Sequence, residues 1–162
     1  MIDLRLLELG DADLEALSRL HGSCFDDRWS ASYLRSLLST PGSFAFVAGR
    51  KPVLAGFIVG RVAADEMEIL TLAVQLERRR LGLGRALVGS AAAHAAALGA
   101  RAVFLEVGKS NSTARALYTA QGFSPVGERR GYYAPSSGPP EDAIILRANL
   151  PLDPLGKRRG LG

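Results

Sequence analysis

The sequence predicts a mixed α/β (α+β) fold: a mostly antiparallel central sheet of about seven strands, flanked by about four helices. Three observations carry this. Short apolar runs and amphipathic segments follow the order strand, two helices, three strands, helix, strand, helix, two strands. Glu66 to Leu98 and Ala102 to Gln121 each run from an apolar strand straight into a helix, a crossover that suits one parallel pairing inside an otherwise antiparallel sheet. Finally, 162 residues with 48% hydrophobic content fill one core and are short for two. One domain is expected over residues 1–150. A basic tail, 151–162, carries prolines, glycines and charges without periodicity and is expected to be flexible.

Ile2, Leu4 and Leu6 alternate as a short strand. Asp11 is placed to cap a helix through Leu14, Leu17 and Leu20, with Gly22 expected to break it. Ser30 can cap a second helix whose stripe is Tyr33, Leu34, Leu37 and Leu38, closed by Pro41-Gly42. Phe44–Ala48 and Val53–Val59 then read as strands joined by a hairpin over Gly49–Pro52. Glu66–Val74 is apolar on both faces and therefore central. The helix Leu83–Leu98 presents Leu83, Leu87, Ala91, Ala95 and Leu98 on one stripe, and its alanines suit close packing on a sheet. Ala102–Val107 is a buried strand, Thr113–Gln121 a helix capped from Ser110 or Asn111, and Phe123 opens a further strand. After a Pro/Gly-rich loop at Pro135–Pro140, Ala143–Leu146 closes the sheet.

The formal charge of +4 does not indicate nucleic acid, because Lys157, Arg158 and Arg159 in the tail, set against Asp153, supply half of it. The aromatics are not interleaved with Arg and Lys as a stacking platform requires. Cys24 is the only cysteine, so no intramolecular disulfide forms and a reducing compartment is indicated. No Cys/His spacing suggests a metal, and no apolar run is long enough for a membrane span. The expectation is a soluble, cytoplasmic monomer without nucleic acid, membrane or metal partners.

Gly82 and Gly84 stand at the mouth of a helix directly after an apolar strand, where exposed N–H groups and the helix dipole favour an anion. Arg78, Arg79, Arg80 and Arg85 surround them with positive charge. The same pattern suits a phosphate cradle or a plainly capped helix with a basic shoulder. Glu106 is the second anomaly: a carboxylate within an apolar strand is costly unless it is paired, hydrated or functional.

These residues resemble the GNAT superfamily of acyl-CoA-dependent N-acyltransferases. The family's pyrophosphate motif, Arg/Gln-x-x-Gly-x-Gly/Ala, matches Arg79-Arg80-Leu81-Gly82-Leu83-Gly84. Leu105 to Asn111, Ala116 to Tyr118, Gly122-Phe123, Arg129 to Tyr133 and Glu141 to Ile145 look like the RimI-type branch, the N-terminal alanine acetyltransferases of a ribosomal protein. Phe25 and Trp29-Ser30 resemble an early motif of that branch, and the likeness runs from about Ile2 to Leu150.

The resemblance implies acetyl-CoA as co-substrate. Its pyrophosphate would sit on Arg79 to Arg85, including Leu81, Leu83 and both glycines, and its pantetheine along Leu72, Ala73 and Val74. Asn111 would contact the CoA arm, in addition to or instead of capping its helix. Glu106 is implied as general base and Tyr118 as general acid, with an ion pair to Arg101 or Arg129 as the other reading of Glu106 and core packing that of Tyr118. Trp29, Tyr132 and Tyr133 are candidates for the peptide entrance, and Glu141 or Asp142 for a basic acceptor residue; all can equally be surface groups. His21, His94 and Cys24 read as structural.

The implied reaction is acetylation of a protein N-terminus, with a ribosomal protein as partner. An α-amine with pKa near 8 is roughly one-fifth neutral near pH 7.4, whereas a lysine amine is only about a thousandth neutral. A lysine or small-molecule acetyltransferase and a non-catalytic acyl-CoA-binding module are the alternatives.

Overall fold

The computed structural model describes residues 3–7, 13–50, 53–133 and 140–153. Its elements are β1 (Leu4–Leu6), α1 (Asp13–Cys24), α2 (Ala31–Leu38), β2 (Ser43–Arg50), β3 (Val53–Ala63), β4 (Glu66–Val74), α3 (Leu83–Ala97), β5 (Ala102–Gly108), α4 (Ser112–Ala120), β6 (Ser124–Tyr133) and β7 (Glu141–Asn149). The order is the expected one, with an added 3-10 turn at Leu76–Arg78. The strands form one seven-stranded sheet, β1-β2-β3-β4-β5-β7-β6, in which only β4 and β5 run parallel. No helix among the described residues is long and apolar enough to cross a membrane.

Strand alternation divides the core between the two faces of the sheet. On β3, Phe57 and Val59 pack with Leu17, Leu20, Leu34 and Leu38 of α1 and α2. Ile58 points the other way, to Leu83, Leu87, Val88 and Ala91 of α3. Phe57, Leu17, Leu34 and Leu87 are fully buried, and each such side chain contributes about 1.5–3 kcal/mol.

One irregularity positions the site. β4 pairs with β5 over only Glu66↔Ala102, Met67↔Val103 and Glu68↔Phe104. Beyond that point β4 stays with β3 as far as Gly56↔Val74, and β5 stays with β7 as far as Gly108↔Ala143. The register against β3 shifts by one residue at Leu70, between the pairs Val59↔Thr71 and Gly60↔Ile69. A bulge of this kind adds twist and bends the strand, here where β4 parts from β5.

Several boundaries differ from expectation. Gly22 does not end α1, which continues to Cys24. A Cβ on Gly22 would lie 2.9 Å from Arg28 Cδ, so glycine here lets the Arg28 side chain cross the helix. β3 runs on to Ala63, and β7 spans Glu141–Asn149 rather than four residues. The ordered body also passes residue 150: Leu150 and Leu152 pack against the core, and Asp153 O would lie 2.7 Å from a Cβ on Gly122. The Asp11 cap, Lys51-Pro52, most of the Pro135–Pro140 loop and the tail from residue 154 lie outside the described residues.

Candidate active site

The divergence of β4 and β5 opens a cavity of about 620 Å³ that reaches both faces of the sheet. Its lining includes Leu70, Thr71 and Leu72 of β4, Leu105 to Gly108 of β5, Asn111, Ala114 and Tyr118 around α4, and His21, Phe25 and Trp29 from α1 and the segment after it. Of the expected residues it thus joins Trp29, Leu72, Glu106, Asn111 and Tyr118.

The β4 edge of the gap is a row of backbone groups. Gln75 N–H donates to Ala55 O at 2.8 Å, and the pairing Phe57↔Ala73 commits Ala73 to the same side. Alternation therefore turns the amides of Leu72 and Val74 toward the gap. The Val74 carbonyl already accepts from Arg79 Nε at 3.1 Å and from Cys24 Sγ at 3.4 Å. Arg79 thus braces the end of the strand as well as carrying charge.

Downstream, the loop to α3 makes two left-handed turns, at Arg80 (φ 66°) and Gly82 (φ 82°). Gly82 is the N-cap of α3 and has no side chain to close off the first N–H groups. No atom lies within 4 Å of where its Cβ would stand. Gly84 serves differently from the expected turn: it lies in the first turn of α3, where a Cβ would sit 3.4 Å from Leu117 Cδ2 and 3.8 Å from Val74 Cγ2. A Cβ there would meet both α4 and the β4 end at ordinary contact distance, so the packing of α3 leaves room for one. Leu83 is buried in the core, so only its backbone faces this loop, whereas Leu81 is 69% exposed. Gly82 and Arg85 also border a second groove of about 490 Å³, with Ala86, Gly89, Gln121 and Leu152.

Glu106 lies between Leu105 and Val107, which point into the core under α3, so alternation turns it to the α1–α2 side. Arg129 Nε pairs with its Oε1 at 3.0 Å. Arg101 sits at the other end of β5, its backbone bonded to Asp65 and Leu150. Tyr118, 5% exposed, packs edge-on to Phe123 with centroids 5.3 Å apart. Burial raises its hydroxyl pKa well above the ordinary phenol value. Asn111 Oδ1 accepts Ala114 N–H at 3.2 Å, so it caps α4 while lining the cavity.

Glu141 lines the cavity and accepts from Ser110 Oγ. Asp142 is occupied elsewhere, accepting Gly131 N–H at 2.7 Å. That bond first, then a hydrogen bond with Glu128, holds its carboxyl below the usual range. β6 carries Tyr132 and Tyr133, with Tyr133 opposite Glu141, but their side chains lie outside the described residues.

His21, expected to be structural, is packed at 3% exposure and also walls the cavity. Ser18, 1% exposed, was not singled out; its Oγ donates to Trp29 O at 2.7 Å and accepts from Arg28 Nε at 2.8 Å. The readable signal was spacing, since His21 falls four residues after Leu17 and seven after Leu14 on the buried stripe of α1. His94 is structural as expected, 4.5 Å from Phe44 and 5.6 Å from Phe46 between ring centroids.

Residues 14–123 match the acetyltransferase (GNAT) family. A Bacillus subtilis protein named as a putative ribosomal protein bS18-alanine N-acetyltransferase is 31% identical over 135 residues, 83% of this chain and 87% of that one. The Escherichia coli bS18-alanine N-acetyltransferase is 39% identical over 93 residues, 57% of this chain and 62% of its own length. The crystal structure of the Escherichia coli ribosomal-protein-S18-alanine N-acetyltransferase superposes with a TM-score of 0.82 at 29% identity, covering 96% of this chain and 98% of that one. The split sheet, the glycine-headed helix and this match over the greater part of the sequence agree, and the chain belongs to the GNAT acetyltransferase family.

Proposed function

We propose that this protein acetylates the N-terminal α-amine of a protein, with acetyl-CoA as donor and a ribosomal protein as target. The cavity between β4 and β5 carries the reading, because one space is lined by the Leu72 edge, Glu106 and Tyr118. The names of the Bacillus subtilis and Escherichia coli relatives support the acceptor class. A ribosomal target implies a cytoplasmic enzyme, and the reaction as written needs no metal and no second subunit.

The residues present suit the donor. Gly82, with open space above it and free N–H groups behind it, fits a pyrophosphate, and the exposed Arg78, Arg80 and Arg85 add attraction. The gap-side amides of Leu72 and Val74 fit an amide-bearing arm and can polarise a thioester carbonyl. The donor supplies an activated acyl group, and the remaining chemistry falls to the protein. The acceptor nitrogen forms its bond to the acyl carbon as the carbon–sulfur bond breaks. Glu106 takes the proton from the amine, directly or through water, and the Tyr118 hydroxyl donates to the leaving sulfur. The raised pKa of Tyr118 makes it a persistent donor rather than a strong acid.

The test is incubation with acetyl-CoA and three acceptors: an alanine-initiated bS18 N-terminal peptide, an Nα-blocked lysine peptide and small amines. Thiol release and product mass are followed. Fast acetylation of the free N-terminus supports the reading, preference for lysine or small amines overturns the acceptor, and binding without turnover overturns the enzyme.

A further inference from the structure

The His21 imidazole is fixed on nearly every side. Its Nδ1 accepts the backbone N–H of Trp29 at 3.2 Å. Its ring stacks on the Trp29 indole, with centroids 4.6 Å apart and planes 17° apart, and lies 4.5 Å from the Phe25 ring. Ser18, one turn earlier on α1, binds the Trp29 carbonyl, so two α1 side chains hold both backbone polar groups of one residue.

This arrangement dictates the tautomer. A neutral imidazole has one accepting nitrogen and one protonated nitrogen, so acceptance at Nδ1 places the proton on Nε2. Burial lowers the His21 pKa, which keeps the ring neutral near pH 7. His21 is therefore no general base here: one nitrogen is engaged and the other is a donor. Among the described residues nothing accepts from Nε2–H, while the residue borders the cavity shared by Glu106 and Tyr118. The ring as a whole is 3% exposed, but its Nε2 is not sealed off from the cavity, so it stands as a preoriented donor open to whatever enters there.

We infer that His21 Nε2–H binds the first peptide carbonyl of the acceptor and thereby selects peptide N-termini over other amines. An α-amine carries a carbonyl on its own Cα, whereas a lysine ε-amine has only methylenes within the same reach. A fixed donor separates the two because the wrong acceptor leaves it unpaired. The assignment rests on the N-terminal reading above.

The experiment compares wild type with His21→Asn on two acceptors: an alanine-initiated peptide and the same peptide with its first carbonyl reduced to methylene. The Asn amide oxygen can take the Nδ1 place opposite Trp29 N–H, while the distal donor is lost. With the normal peptide, kcat/KM is expected to fall about tenfold to a hundredfold in the variant. The KM for acetyl-CoA is unchanged, and both proteins treat the reduced peptide alike. Equal losses on the two acceptors, or no loss on either, overturn the assignment. A wild type active on the peptide but indifferent to His21 overturns this inference alone, whereas a wild type that acetylates only lysine or small amines overturns both readings. If His21→Asn does not fold, nitrogen-labelled histidine in wild type reports instead: the His21 Nε2 signal shifts on saturation with peptide and CoA, and a signal that stays in place overturns the inference.

Discussion

Arg129 Nε lies 3.0 Å from Glu106 Oε1, so the carboxylate proposed as base is also one half of an ion pair. The Glu106 side chain is 26% exposed and that of Arg129 51%, a setting in which solvent screens the pair to at most about 1 kcal/mol. The pair orients the carboxylate more than it stabilises the fold. Glu106→Gln is therefore expected to fold, to bind acetyl-CoA normally and to lose about a hundredfold in turnover at pH 7. The deficit shrinks toward pH 9, because an α-amine of pKa near 8 then deprotonates unaided. Parallel rate–pH profiles for the two proteins, with a constant offset, would remove Glu106 as base.

Tyr118→Phe keeps the ring against Phe123 and loses only the hydroxyl. Turnover should drop about tenfold to a hundredfold, with acetyl-CoA affinity unchanged. Wild-type turnover in the variant would dismiss the hydroxyl as donor. A stability signature accompanies it. The folded pKa is raised above the ordinary 10.0, so the contribution of the neutral phenol is intact below pH 10 and lost as pH rises through the folded value. The variant should show a shallower alkaline decline in melting temperature.

The order of elements was legible because period-two and helical runs are local patterns, and Ser30 and Asn111 cap their helices as read. Glu106 stood out for the same reason, as a charge inside an apolar run. The V-shaped gap was not legible: it arises where a bulge at Leu70 and a three-pair β4–β5 ladder meet, and both depend on partners distant in sequence. The place of His21 at the cavity wall was not legible because its partner Trp29 lies beyond a turn, and Gly22 was misread because a glycine admitting the Arg28 side chain looks identical to one ending a helix. Asp142 and Glu141, adjacent in sequence, parted according to strand alternation, one toward Gly131 and one toward the cavity.

Gly82 combines a φ of 82° with open space above its Cα. Valine there costs about 1–2 kcal/mol of backbone strain and places methyls where phosphate oxygens must approach. Calorimetric titration of Gly82→Val should show acetyl-CoA affinity reduced at least tenfold, a loss of about 1.4 kcal/mol. Gly89→Ala, within α3 and also without neighbours in the Cβ position, serves as the control and should bind normally. Unchanged affinity in Gly82→Val refutes the cradle.

Burial lowers the His21 pKa below the ordinary 6.5, so the unfolded chain takes up that proton first as pH falls. The sign follows: the contribution of neutral His21 is fully present above pH 6.5 and is lost as pH falls through the lowered folded value. Asp26, Asp27, Glu106 and Glu141 line the same cavity and are common to both proteins in the comparison. His94, half-buried, is common to both proteins in the comparison and cancels. Urea unfolding across pH 7.5 to 5 should show wild-type stability declining with a limiting slope of about 1.4 kcal/mol per pH unit for one proton. His21→Asn should remove most of that slope while losing some stability at neutral pH. Equal slopes in the two proteins would mean that His21 titrates alike in folded and unfolded chains, and that its ring is not held neutral by the α1–Trp29 contact.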